Sequence, residues 1–83
     1  MSNLKILILE DKLLDADLMQ RQLVKSGLNF ISEVVQDRET YENALSTFVP
    51  DIILSDYSLP AFDAVTAFRI KQFQMPLVPF IIV

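Results

Sequence analysis

Two short aliphatic runs in this chain stop abruptly at acid. Leu4–Leu9 (LKILIL) meets Glu10 and Asp11, and Ile52–Leu54 passes through Ser55 into Asp56. Runs of this length with almost no polar alternation suit strands buried on both faces, the habit of a parallel sheet. Parallel neighbours need a crossover between them, and the intervening segments have helical periodicity. From Leu13 to Ser26 the residues Leu13, Ala16, Met19, Leu23 and Val24 share one arc, and Gly27 stands where a C-terminal cap favours positive φ. From Arg38 to Phe48 the apolar set is Tyr41, Ala44, Leu45 and Phe48, spaced i, i+3, i+4, i+7, before Pro50 ends it.

The remaining segments complete the alternation. Phe30–Val35 reads as a second strand and Asp51–Asp56 as a third, followed by a loop over Tyr57–Pro60. Asp63 is placed to cap a third helix running to about Phe73, with Val65 and Phe68 among its inward residues. Phe30, Phe48, Phe68, Phe73 and Phe80 read as core or sheet-packing residues, and Phe80–Val83 opens a fourth strand. The order β-α-β-α-β-α-β predicts an α/β open parallel sheet in one small domain spanning residues 1–83.

Composition removes several chemistries. The 83 residues include neither Cys nor His, so Cys/His zinc sites, disulfides and histidine-based acid–base or triad catalysis are excluded. The single glycine cannot write either glycine-rich phosphate-binding fingerprint. Net charge is −4, and the seven Lys and Arg form no stripe along the sequence, so nucleic-acid binding by this segment is not expected. No apolar run approaches the roughly 20 residues of a membrane span. A cytoplasmic protein without membrane contact is the expectation.

Ligands of open parallel sheets bind beyond the carboxyl ends of the strands, where the strand order reverses. If the first and third strands are neighbours there, Glu10, Asp11 and Asp56 converge. Three carboxylates in one small volume repel one another, and a hard divalent cation such as Mg²⁺ relieves that. Beside such a cation an aspartate is able to attack a phosphoryl group and form an acyl phosphate. Read singly, each acid has a plainer role. Glu10 and Asp11 are equally at home at the start of a helix, and an aspartate at a strand end is commonly a turn residue. Asp15 and Asp17 read as solvated, Asp51 as strand-start punctuation, and Ser55 as a packing residue on the opposite face from Asp56.

LILEDKLLDADLM, PDIILSDYSLP and PFIIV, in this order and at these spacings, resemble the response-regulator receiver domain of two-component signalling. The resemblance implies a flavodoxin-like sheet with strand order 2-1-3-4. It implies Asp56 as phosphoacceptor, taking its phosphoryl group from a histidine kinase or a histidine phosphotransfer protein. It further implies Mg²⁺ held by Glu10, Asp11, Asp56 and the backbone carbonyl of Ser58, with Pro60 stiffening the loop. Enzymatic content is then at most self-phosphorylation and self-dephosphorylation.

The chain departs from the family at Ala61 and Ala64, where glycines are usual, and it stops in the fourth of the usual five strands. The family's switch Ser/Thr and site lysine follow that strand, and neither Lys5 nor Lys71 has the position to replace the lysine. The expectation is therefore an incomplete receiver, with phosphorylation impaired or lost and the exposed fourth strand a route to self-association. Two rival readings stand beside this one. The first is a degenerate receiver that only docks a partner. The second is a Mg²⁺-dependent phosphatase or hydrolase, weakened because Ser58 stands where such enzymes need a second acid.

Overall fold

The computed structural model describes residues 3–57, 59 and 62–83. Four strands and three helices alternate: β1 (Leu4–Leu9), α1 (Leu13–Lys25), β2 (Phe30–Val35), α2 (Arg38–Thr47), β3 (Ile52–Ser55), α3 (Ala64–Gln74) and β4 (Phe80–Ile82). The strands form one sheet in the order β2-β1-β3-β4, and every pairing is parallel. Both the alternation and the strand order agree with the sequence reading, with element ends differing by a residue.

Right-handed crossovers in this order put α1 on one face of the sheet and α2 and α3 on the other. The side chains follow that division. Leu7, Leu9, Val35 and Ile53 meet Tyr41, Ala44, Leu45 and Ala67 in one continuous core. On the opposite face, Gln20 of α1 donates an amide hydrogen bond to the Ser32 hydroxyl at 2.9 Å. β1 lies between β2 and β3, and Ile6 through Leu9 are all buried. That accounts for its nearly unbroken aliphatic sequence.

Each helix is bounded by identifiable local chemistry. The Asp37 carboxylate accepts from the Thr40 backbone N–H at 2.9 Å, and the Thr40 hydroxyl reaches back to the Asp37 N–H, completing a capping box at α2. The Asp63 carboxylate accepts from Thr66 N–H at 2.8 Å, the N-cap role expected for it. Gly27 follows α1 with φ of 85°, as its position foretold. Val49 is unexpected. It follows α2 with φ of 52°, a left-handed conformation that is costly for a β-branched residue.

Two helix faces differ from expectation. α3 turns Ala64, Ala67 and Lys71 inward, while Val65 faces outward and the partly exposed Phe68 packs edge-on against Phe80 of β4, 5.7 Å between ring centres. The small alanines let the helix lie close to the sheet. The stem of Lys71 is buried, while its ammonium donates to the Pro76 carbonyl at 3.1 Å and lies 5.4 Å from the Phe68 ring centre. Phe73, expected in the core, is 89% exposed. In α1 only Ala16 is fully buried. Leu13 and Val24 lie outside the contact, because the helix meets the sheet along a narrower stripe than its apolar arc.

Candidate metal centre and phosphoacceptor site

The site is built by strand pairing. β1 and β3 are in register with Leu9 opposite Ser55, so the next residues, Glu10 and Asp56, emerge side by side at the carboxyl end of the sheet. Backbone hydrogen bonds hold both in place. Asp56 N–H donates to the Leu9 carbonyl and Glu10 N–H to the Val35 carbonyl, each at 3.0 Å. Asp11 follows directly, in the turn before α1. Each of Glu10, Asp11 and Asp56 offers a carboxylate oxygen, and the three oxygens lie within 4.8 Å of one another. The convergence expected from the two acid-terminated strands is therefore present.

Electrostatics at this point are unfavourable for three bare anions. Glu10 is buried, and its carboxyl is held above the usual carboxylate range. Loss of hydration is the main cause, followed in the same direction by the Asp56 charge and by contacts with the Asp11 and Asp56 carboxyls. A bond from Lys12 N–H, at 3.4 Å, opposes the shift. Asp11 Oδ1 is buried and, among the described residues, accepts no hydrogen bond. An orphaned buried carboxylate oxygen carries the full cost of lost hydration unless something binds it. The donor set, three hard oxygens with one lacking any partner, fits a small divalent cation that keeps waters in its remaining positions.

Neighbouring residues hold the acids in position and take no part in the cluster. Ser55 is fully buried, and its hydroxyl donates to the Asp56 carbonyl at 3.1 Å, in keeping with a packing residue. Tyr57 is 70% exposed. At the opposite end of β1 and β3, Asp51 and Lys5 are joined twice. Asp51 N–H donates to the Lys5 carbonyl, and Lys5 N–H donates to the Asp51 carboxylate, each at 2.8 Å. The strand pair that carries the acids is thus pinned at both ends, a role for Asp51 beyond punctuation. Lys5 Nζ meets the Phe48 carbonyl at 3.3 Å and Lys71 Nζ meets Pro76, so neither cation serves the acidic cluster.

The sequence reading gave Leu59 only as a loop residue and did not single out Phe62, yet both are buried beyond Asp56. The Phe62 ring lies 5.4 Å from that of Tyr41, whose hydroxyl donates to the Ala67 carbonyl at 2.7 Å. These anchors tie the loop after the acid to both helices of the larger core. Ser58, Pro60 and Ala61, named as carbonyl donor, stiffener and departure from the family, lie outside the described residues.

Among solved structures, the receiver domain of a sensor histidine kinase from Pseudomonas aeruginosa superposes with a TM-score of 0.81 at 25% sequence identity, covering 98% of this chain and 66% of that one. The chain has a receiver-domain fold. That Pseudomonas receiver domain carries a magnesium ion coordinated in its active-site cleft. The non-phosphorylated receiver domain of HemR from Leptospira biflexa superposes with a TM-score of 0.79 at 18% identity, covering 95% of this chain and 62% of that one. The present chain thus spans just under two thirds of the length of these receiver domains. No protein-family model matches the sequence, and no curated protein matches it. The likeness to these receiver domains supports a signalling module of the two-component class. Among the described residues, no helix is long and apolar enough to cross a membrane.

Proposed function

We propose that this receiver domain is a phosphoacceptor that takes a phosphoryl group from a phosphohistidine onto Asp56, with Mg²⁺ held by Glu10, Asp11, Asp56 and the Ser58 backbone carbonyl. The donor is a histidine kinase or a histidine phosphotransfer protein, and the module works in the cytoplasm. The observation that carries this reading is the cluster itself, three carboxylates at the ends of adjacent parallel strands, with Asp11 Oδ1 buried and without a partner among the described residues.

In this reading a carboxylate oxygen of Asp56 attacks the phosphorus, the P–N bond to imidazole breaks, and the bonding pair leaves on nitrogen, which takes a proton. The product is an acyl phosphate on Asp56. A bound Mg²⁺ offsets charge on the transferring phosphoryl oxygens. Glu10 and Asp11 would hold such a cation beside Asp56, whose own carboxylate would act as the nucleophile. The backbone bond from Asp56 N–H to Leu9 keeps the nucleophile fixed during the approach.

The test is intact mass after incubation with Mg²⁺ and acetyl phosphate, with Asp56→Asn alongside. One phosphoryl group on the native chain and none on the variant is the expected result. A folded chain that Mg²⁺ stabilises but that gains no phosphoryl group would refute the acceptor role and leave a metal site. No adduct and no Mg²⁺ effect on melting would instead favour the reading in which the fold serves only to dock a partner.

A further inference from the structure

α2 and α3 enclose a groove of about 430 Å³ on the helical face of the molecule. Arg38 and Glu42 line it from α2, and Thr66, Arg69, Ile70 and Phe73 from α3. Lys5 and Lys71 are committed to backbone carbonyls and Arg21 to Asp17, whereas Arg69 makes no ion pair among the described residues. Arg38 is 62% exposed in its side chain and meets Glu42 only at 3.6 Å. Phe73, the most exposed aromatic side chain described, stands beside these guanidinium groups over half-buried Ile70. Two arginines from different helices thus converge in a chain whose net charge is −4.

We propose that this groove docks an acidic peptide segment of another protein, one carrying an aliphatic or aromatic side chain beside its carboxylates. Arg69 offers a planar fork of N–H donors that matches a carboxylate in two hydrogen bonds. Phe73 and Ile70 supply an apolar seat for the neighbouring side chain, the anchor that makes a small contact specific. Glu42 sets the limit on charge. Its carboxylate at the rim repels a continuous polyanion and leaves room for alternating acid and apolar groups, which argues for peptide over nucleic acid. The groove involves none of Glu10, Asp11 and Asp56, so the proposal stands apart from the phosphoacceptor reading.

The probe is a Glu-Leu-Glu-Leu-Glu peptide titrated into the isotope-labelled chain by NMR, with Gln-Leu-Gln-Leu-Gln as the uncharged control. Shifts confined to α2 and α3, and affinity about tenfold above the control, are expected. Arg69→Glu should remove that preference, and Phe73→Ala should weaken both peptides. Both side chains are exposed, so the variants should keep the native melting temperature. Equal affinity for the two peptides, shifts centred elsewhere, or no shifts at millimolar peptide would overturn the proposal. So would the same residues shifting on dilution without peptide, which would make a second copy the occupant.

Discussion

Burial of Glu10 beside Asp56 raises its carboxyl above the ordinary value of 4.5, so through that interval the folded chain holds protons that the unfolded chain has released. Stability therefore falls as pH rises from the ordinary value through the raised one, and it stays lower above. The caps respond oppositely. Hydrogen bonds from Thr40 and Thr66 lower the Asp37 and Asp63 carboxyls, so their contribution is present above the ordinary range and lost as pH falls through the lowered values. Glu10→Gln should remove the first effect alone. Melting in EDTA should show the variant more stable than the native chain at neutral pH, with the gap closing in acid. Mg²⁺ should then stabilise the native chain by about 2.7 kcal/mol at a hundredfold excess over its Kd, and the variant by less. A variant less stable in EDTA would mean that Glu10 is satisfied without a cation. At this scale the three acids were legible because each follows a strand end. The orphaned Asp11 Oδ1 was not, since it depends on how side chains fill a volume that no local pattern describes.

The elements themselves were legible where one period dominated. α2 repeats its apolar spacing cleanly, and Tyr41, Ala44 and Leu45 are buried as that spacing requires. α3 misled, because the residues that bring a helix close to a sheet are its smallest, not its most apolar. Ala64 and Ala67 carry little hydrophobic signal, while Val65 carries more and faces outward, and Phe68 is only partly covered, by Phe80. Lys71 is the sharper case, a charged residue whose stem is core and whose ammonium finds a carbonyl only after the chain has turned at Pro76. The end of α2 offers a direct test. Val49 pays a left-handed penalty of roughly 1–2 kcal/mol, offset only in part by the extra freedom glycine has when unfolded. With its side chain 49% exposed there is little packing to lose, so Val49→Gly should stabilise by about 0.5–1 kcal/mol in urea titration. Destabilisation instead would show that the valine is held by contacts worth more than its strain.

Across the whole molecule the two faces of the sheet are unequally covered. α2 and α3 close one face, while α1 alone lies on the other and leaves Leu54 half-buried and Ile81 and Val83 exposed. β4 is the outer strand among the described residues and pairs only with β3. The 83-residue chain is therefore expected to associate through this edge. Sedimentation should show mass rising with concentration, and Ile82→Lys should keep the chain monomeric; a native chain monomeric at every concentration would refute this. The parallel sheet was legible because three helical crossovers join its four strands, while the strand order came from the resemblance to receiver domains. The groove between α2 and α3 was not, since Arg38 and Arg69 are distant along the chain and line one groove only once the helices have packed.

That the acidic cluster hangs on β1 and β3 also gives it a place in time. α1, β2 and α2 all lie between the two strands along the chain, so no local segment is able to assemble the site by itself. Pairing across such a separation is the slow, entropically costly part of folding. A cation that binds only the assembled cluster then reports the moment when the two strands meet. Mg²⁺ should slow unfolding by most of its stabilising factor and leave refolding nearly unchanged if that pairing comes after the rate-limiting step. Stopped-flow chevrons with and without Mg²⁺ read the partition directly. Faster refolding with unchanged unfolding would place the meeting of β1 and β3 before the barrier, and the ion would then act as a clock for the fold as well as a ligand of it.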